Sequence, residues 1–349
     1  MTMTNETIQE GLCSSQRHTS FYLSSGTPGN IPVIFCHGWP ELSLSWRHQL
    51  PSLAALGFQA IAPDMRGYGR SSQHPAIEDY AVPEIEADMI ELLDHIGAEK
   101  AIWVGHDWGT PIVWSIAQHH PDRCHGVAGI CVPYLPNGFT LPELVRGVDR
   151  KIYPEDQFPL GQWDYWQFHR DAPNKCRRGF ERNLDNTFRA LFRSGQSDSK
   201  SSPSITAMIR TMGGWFGPDG AAAPDMPIDT GVIHPSDLAA YVAAYERTGF
   251  SGPNNWYRND QRNTEHARLA KTRNLEMPAL FVHAANDGIC ETINSSLASP
   301  MRAHCQNLTE VTIESGHWVA QEKPDALNVA LADWISSQFP EFARIVGSG

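Results

Sequence analysis

Several things are scarce in this 349-residue chain, and each shortage closes a class of function. The seven cysteines, Cys13, Cys36, Cys124, Cys131, Cys176, Cys290 and Cys305, are odd in number and nowhere form a CxxC pair. That excludes a disulfide framework and a cysteine zinc site, and leaves reduced thiols that are buried as small apolar groups or simply exposed. No run of about eighteen apolar residues occurs, so no transmembrane helix is expected. Met1 to Ser20 lacks the apolar core of a secretory signal. Positive charge is in deficit, with 27 Lys and Arg against 39 Asp and Glu and a net charge of −12. A nucleic acid or an anionic membrane is therefore not the expected partner. The expected compartment is the cytoplasm. What remains, 41% hydrophobic and 19% charged, is an ordinary globular composition, long enough for one large domain or two moderate ones.

What is present begins with a strand–helix rhythm. Ile31–Cys36 and Phe58–Pro63 read as short buried strands, with a helix expected over Leu44–Leu56 and a stop at Gly57. Ile85, Met89, Leu92, Leu93 and Ile96 recur at helical spacing up to Gly97. Ala101–Val104 is a strand, Thr110–His120 a helix closed by Pro121, and Val127–Val132 another strand. Such alternation implies a parallel sheet covered on both faces. The rhythm stops after Pro133. From Tyr134 to about Tyr257 the chain is rich in aromatics, Arg, Pro and Gly, with helical patches and no convincing strand. Strands resume at Met277–Ala284 and Leu308–Glu314, and Pro324–Gln338 reads as a final helix. The expectation is an α/β core in two parts, 1–133 and 258–349, split by a mostly helical insert over 134–257. The stretch Ser194 to Ile233 matches no recognisable pattern.

The strand at Ala101–Val104 runs into Gly105-His106-Asp107-Trp108-Gly109, a small-x-nucleophile-x-small turn that exposes its central side chain. Here that residue is Asp. A carboxylate is nucleophilic at pH 7 without a base, since its ordinary pKa is about 3.9. Against an ester or amide it would form a reactive anhydride. At a saturated carbon with a strained or good leaving group it forms an ester that water can open. Carbon–oxygen or carbon–halogen cleavage is favoured over esterase or protease chemistry.

Two other stretches complete a constellation. His37-Gly38-Trp39-Pro40 follows the first buried strand, and its Trp39 N–H, paired with that of Trp108, is expected to form an oxyanion hole. His37 is read as structural. Asp287 follows one C-terminal strand and His317, in Ser315-Gly316-His317-Trp318, follows another. Asp107, Asp287 and His317 thus stand in the order nucleophile, acid, base, each just beyond a strand where open-sheet sites form.

With HGWPE at His37–Glu41, PDMRGYGRSS at Pro63–Ser72, GHDWG at Gly105–Gly109 and SGHW at Ser315–Trp318, the chain resembles the epoxide hydrolases of the α/β-hydrolase superfamily. It is most similar to the hydrolase domain of the soluble members, from about Phe21 to the C-terminus. Two further stretches carry the resemblance in the insert, WDYWQF at Trp163–Phe168 and GFSGPNNWYRN at Gly249–Asn259. It implies an α/β-hydrolase fold, a mostly parallel sheet flanked by helices, with an inserted helical cap domain. It also implies that Tyr165 and Tyr257 point from the cap at the epoxide oxygen. Two phenols with ordinary pKa near 10 suit an alkoxide leaving group, whereas a halide needs no proton.

The expected reaction is epoxide plus water to a vicinal diol, through a hydroxyalkyl ester on Asp107 that His317, oriented by Asp287, helps water to open. No metal or organic cofactor is implied, and the partners are the epoxide and water. A homodimer is one option for the oligomeric state. Trp39, Trp108, Trp166 and Trp318 are candidate walls of the substrate pocket, with Trp163 and Trp256 nearby. His169, four residues after Tyr165, is a reserve donor but is expected at the surface, and His119 and His120 at a helix end are read as surface residues or helix-dipole partners. Asp64 and Arg66 are assigned to a structural loop, and Tyr22, Tyr68 and Tyr153 to packing. The rival readings are a haloalkane or haloacid dehalogenase with the same Asp107, Asp287 and His317, and a ligand-binding protein of the same fold without turnover.

Overall fold

The computed structural model describes residues 7–195 and 202–343. Its strands are β1 (Gln9–Ser14), β2 (Thr19–Ser25), β3 (Pro32–Cys36), β4 (Gln59–Pro63), β5 (Ala101–His106), β6 (Cys124–Ile130), β7 (Leu275–Ala284) and β8 (Cys305–Ile313). They form one sheet in the order β1-β2-β4-β3-β5-β6-β7-β8. The β1–β2 and β2–β4 pairs are antiparallel and every later pair is parallel. Every residue of β3, β4 and β5 is buried, which is why these strands are apolar in the sequence except for Gln59 at the start of β4 and His106 at the end of β5.

The first two strands were not expected. In β1 only Cys13 is buried, so no apolar run marks it, and pairing with β2 rather than hydropathy makes it a strand. The helix expected over Leu44–Leu56 is split into a 3₁₀ turn, Ser43–Trp46, and a helix, Gln49–Ala55. A continuous helix would hold Pro51 in its interior, where the ring blocks a hydrogen bond; restarting at Gln49 puts Pro51 in the first turn, where it is tolerated. Helices Val82–His95, Gly109–His119 and Pro324–Gln338 fall where the spacing predicts them.

Between β6 and β7 the described residues contain helices and no strand, among them Asp164–Asp171, Pro173–Glu181, Leu184–Leu191 and Pro235–Thr248. Polar ties fasten this segment over the strand ends. Ser45 Oγ and Tyr241 Oη are 2.6 Å apart, Trp39 Nε1 donates to Asn254 Oδ1 at 3.2 Å, and Trp256 Nε1 donates to the Arg66 carbonyl at 3.1 Å. The Asp64–Arg66 loop is a network as expected. Asp64 accepts from Ser43 N–H, Ser43 Oγ and Arg70 N–H, and Arg66 grips both oxygens of Asp88 at 2.7 Å. All seven cysteines are free and buried. Among the described residues no helix is long and apolar enough to cross a membrane.

Candidate active site

Sheet register brings the first two motifs together. Cys36 at the end of β3 pairs with Gly105 near the end of β5, so His37-Gly38-Trp39 and His106-Asp107-Trp108 leave the sheet side by side. Asp107 holds φ of +46°, in the left-handed region that a non-glycine residue enters only when its surroundings impose it. The next glycine shows what imposes it. A Cβ on Gly109 would stand 2.0 Å from the Cys36 carbonyl oxygen, so only glycine lets the helix Gly109–His119 start this close to β3. Trp108 is the residue that caps that helix.

The other two strands deliver the partners. Ala284 at the end of β7 pairs with Ile313 at the end of β8, which sets the loops bearing Asp287 and His317 next to each other. His317 Nδ1 lies 2.7 Å from Asp287 Oδ2, and its Nε2 lies 3.5 Å from Asp107 Oδ2. The other Asp287 oxygen accepts the N–H groups of Ile289 and Cys290 at 2.8 and 3.0 Å. Burial would raise the Asp287 carboxyl, but the His317 imidazole and these N–H groups hold it at about 2. Burial likewise opposes charge on His317, yet Asp287 and Asp107 outweigh it and carry its pKa well above the usual imidazole range. The backbone N–H of Trp39 donates to Asp107 Oδ1 at 2.8 Å.

A cavity of about 330 Å³ joins Asp107, Asp287 and His317 to Tyr165 and Tyr257. Tyr165 comes from the helix Asp164–Asp171 and Tyr257 from the 3₁₀ turn Trp256–Arg258, and their rings are 5.8 Å apart. Both are nearly fully buried, and burial above all pushes both phenols well above their usual pKa. They are therefore neutral donors at any ordinary pH.

The tryptophan expectations divide. Trp39 and Trp318 line the cavity. Trp108 and Trp166 do not; they pack edge-to-face against Tyr257, each with its ring 5.2 Å from the tyrosine's, so their part is to hold that phenol in place. Trp215, Ser204, Ile205 and Thr206 also line the cavity, so the stretch Ser194 to Ile233 that sequence left blank helps to shape it. Residues 196–201 of that stretch lie outside the described residues. His169, expected in solvent, is completely buried, because its helix packs that face against the aromatic wall. It accepts from Trp215 Nε1 at 3.0 Å, and burial lowers it to about 3.

One pair escaped the sequence reading entirely. Glu41 Oε2 accepts from the Gly38 N–H at 3.0 Å and from His106 Nδ1 at 2.7 Å, while His106 Nε2 donates to the His317 carbonyl at 2.8 Å. This relay ties the Trp39 loop to the turn of Asp107 and to the loop of His317. His37 is structural, as expected, since its ring lies against the Gly38 carbonyl and accepts the Met65 N–H at 2.9 Å.

Comparison with known proteins adds a family to this geometry. The α/β-hydrolase fold family matches residues 31–324. Epoxide hydrolase A of Mycobacterium tuberculosis is 32% identical over 320 residues, 90% of this chain and 93% of that one. Bifunctional epoxide hydrolase 2 of Sus scrofa is 32% identical over 306 residues, 87% of this chain, which spans 51% of the pig protein's length. Among solved structures, epoxide hydrolase A from Mycobacterium thermoresistibile superposes with a TM-score of 0.77 at 33% identity, covering 94% of this chain and 98% of that one.

Proposed function

The chain belongs to the epoxide hydrolases of the α/β-hydrolase family, and within that family we propose that it adds water to an epoxide through an ester on Asp107. The observation that carries this reading is the single cavity in which Asp107, His317 and two neutral phenols meet. Residues 134–257 are read as the cap, 1–133 and 258–349 as the two parts of the core. The working compartment is taken as the cytoplasm.

In the first step Asp107 attacks a ring carbon while Tyr165 and Tyr257 hold the epoxide oxygen. As the C–O bond breaks, one phenol gives its proton to the developing alkoxide, and the product is a hydroxyalkyl ester. The charge balance then alters the base. The resting carboxylate of Asp107 is among the groups that raise the pKa of His317. Esterification removes that charge, so the imidazole becomes easier to deprotonate just when a base is needed. His317, still oriented by Asp287, takes a proton from water, and the hydroxide formed attacks the ester carbonyl. The Trp39 N–H, on Asp107 Oδ1 at rest, and the Trp108 N–H receive the charge of the tetrahedral intermediate. Collapse breaks the ester C–O bond, the departing oxygen takes the remaining hydroxyl proton of the intermediate, and the vicinal diol leaves Asp107 as a carboxylate. The proton held by His317 returns to the tyrosinate, so both phenols are neutral again.

Purified protein incubated with styrene oxide tests this directly. Diol should form with the wild type and not with Asp107→Asn. Turnover of a haloalkane with no action on epoxides would favour the dehalogenase reading instead.

A further inference from the structure

Two histidines outside the proposed mechanism are buried against expectation, and they differ in what they need. His119, read as a surface residue or helix-dipole partner, is buried between helices instead. Its Nδ1 faces the Ser115 carbonyl oxygen at 3.1 Å and its Nε2 the His266 carbonyl oxygen at 3.0 Å. Both ring nitrogens point at acceptors, and one added proton satisfies them. His169 is different. Its helix, Asp164–Asp171, turns it in among aromatic rings with none of its surface exposed. Its Nε2 accepts from Trp215 Nε1 at 3.0 Å, and an indole N–H only donates, so the ring's one hydrogen sits on Nδ1. That Nδ1 has no partner in hydrogen-bonding geometry among the described residues, although Asn254 is near enough to oppose the effect of burial. An apolar side chain would fill the same place without leaving a buried N–H unpaired, which costs stability. What the imidazole does here that a hydrocarbon cannot is accept the Trp215 N–H.

Trp215 lines the cavity beside Tyr165 and Trp39. Its ring stands edge-on to that of Tyr165 at 5.5 Å and stacks on that of Trp39 at 5.7 Å. No helix or strand carries it. It lies between the 3₁₀ turns Ile205–Met208 and Pro218–Gly220, just after Gly213 and Gly214, which both hold positive φ. Backbone of this kind is permissive, so side-chain contacts decide where the indole rests. Stacking lets one ring slide over another, whereas a hydrogen bond is directional and fixes a point of the indole.

We infer that Trp215, tethered by His169, is the wall that sets which epoxides the cavity admits, by limiting the substituent that can lie on its Tyr165–Trp39 side. This rests on the reading of the cavity as an epoxide site. With the epoxide oxygen held at the two phenols, the indole beside Tyr165 stands against whatever the ring carbons carry on that side. Styrene oxide, substituted on one carbon, can keep its phenyl group away from the indole. trans-Stilbene oxide carries phenyl groups on both carbons and on opposite faces, and cannot keep both clear. The substrate class selected is therefore a compact epoxide with one large substituent. His169 is a positioning residue: it does not line the cavity and acts through the indole.

The test is the ratio of kcat/KM for trans-stilbene oxide to that for styrene oxide. Both substrates need Asp107, His317 and the phenols, so general damage to that machinery cancels in the ratio. Trp215→Leu should raise the ratio at least about 10-fold, the low end of what one methylene in a pocket discriminates. His169→Phe keeps a ring and removes the acceptor, and should raise the ratio in the same direction. His169→Gln, whose amide oxygen can accept the indole N–H, should keep the wild-type ratio. In a Trp215→Phe background there is no N–H to hold, and His169→Phe should change the ratio no further. A second measurement needs neither substrate nor a His169 variant. In NMR spectra of protein with isotopically labelled tryptophan, the indole N–H signal that Trp215→Phe removes should exchange slowly with heavy water in the wild type. An unchanged ratio in Trp215→Leu would overturn the wall. A wild-type ratio in His169→Phe, or a Trp215 N–H that exchanges as fast as an exposed indole, would overturn the tether. Absence of diol from both epoxides would instead count against the proposed function, and the exchange rate would still decide the tether.

Discussion

The backbone N–H of Trp39 donates to Asp107 Oδ1 at 2.8 Å, and the Cβ that Gly38 lacks would stand 2.4 Å from that same oxygen. The two residues come from different strands and are 68 positions apart, yet one turn of backbone both holds the carboxylate and leaves it room. The contact fixes one oxygen of the proposed nucleophile and leaves His317 beside the other.

That fit makes Gly38→Ala informative. The added methyl must push the Asp107 carboxylate out of line, and a misplacement of about 1 Å can cost about 10²-fold in rate. The methyl would also stand 2.4 Å from the Asp107 Cβ, so the turn itself must shift and the variant should melt below the wild type. At a temperature where it is folded it should lose about 10²-fold in kcat/KM for styrene oxide. Full activity would mean that the carboxylate's position at rest does not matter.

The two phenols predict a graded loss. Tyr165→Phe and Tyr257→Phe should each leave some activity, because the other tyrosine still donates. The double variant should lose at least about 10²–10⁴-fold, the usual worth of general acid assistance. Near wild-type rates in the double variant would remove both from the mechanism. His169 could not replace them as an imidazolium, since burial keeps it neutral.

His317 should titrate at two different values. In the free enzyme Asp287 and Asp107 lift it well above the usual range, and NMR of its ring should show that. Once Asp107 is an ester one of those charges is gone. The rate of ester hydrolysis should therefore fall on acidification with a midpoint below the value seen by NMR. Coincident midpoints would contradict the change of base strength during the cycle.

The pair Glu41–His106 predicts where stability depends on pH. Burial would raise the Glu41 carboxyl, but His106 holds it at about 2, below the 4.5 of an unfolded chain. Its contribution is present above pH 4.5 and is lost as pH falls toward 2. Burial would lower His106, but Glu41 carries it well above 6.5, so its contribution is present below pH 6.5 and is lost as pH rises through the folded value. Breaking a buried pair costs about 3–5 kcal/mol. Urea unfolding should show Glu41→Gln less stable than wild type by about that much at pH 6, with a gap that narrows at pH 3. An unchanged gap would assign the loss to packing alone.

What could be read from the sequence was what local pattern encodes. The buried parallel strands are apolar runs, and Asp107, Asp287 and His317 each stand just past one, so their meeting followed from strand order. β1 could not be read, because five of its six residues are not buried and only β2 makes it a strand. Glu41 had no role assigned beyond closing the HGWPE stretch, and its partner His106 is 65 residues away. Trp215 reaches the cavity from a stretch without periodicity, and His169 was misplaced because it stands among polar residues, next to Arg170 and Asp171, on a helix whose aromatic face it shares. In both, contacts between distant elements outweighed local pattern.

The most direct test of the central claim is the intact mass of His317→Gln after incubation with an epoxide. Ring opening needs Asp107 and the tyrosines, whereas release needs the base, so the variant should open one epoxide and stall. The protein should then be heavier by the whole mass of the epoxide, with the adduct mapped to the peptide that holds Gly105–Gly109. An unmodified mass with undiminished diol release, or an adduct on another residue, would contradict the ester on Asp107.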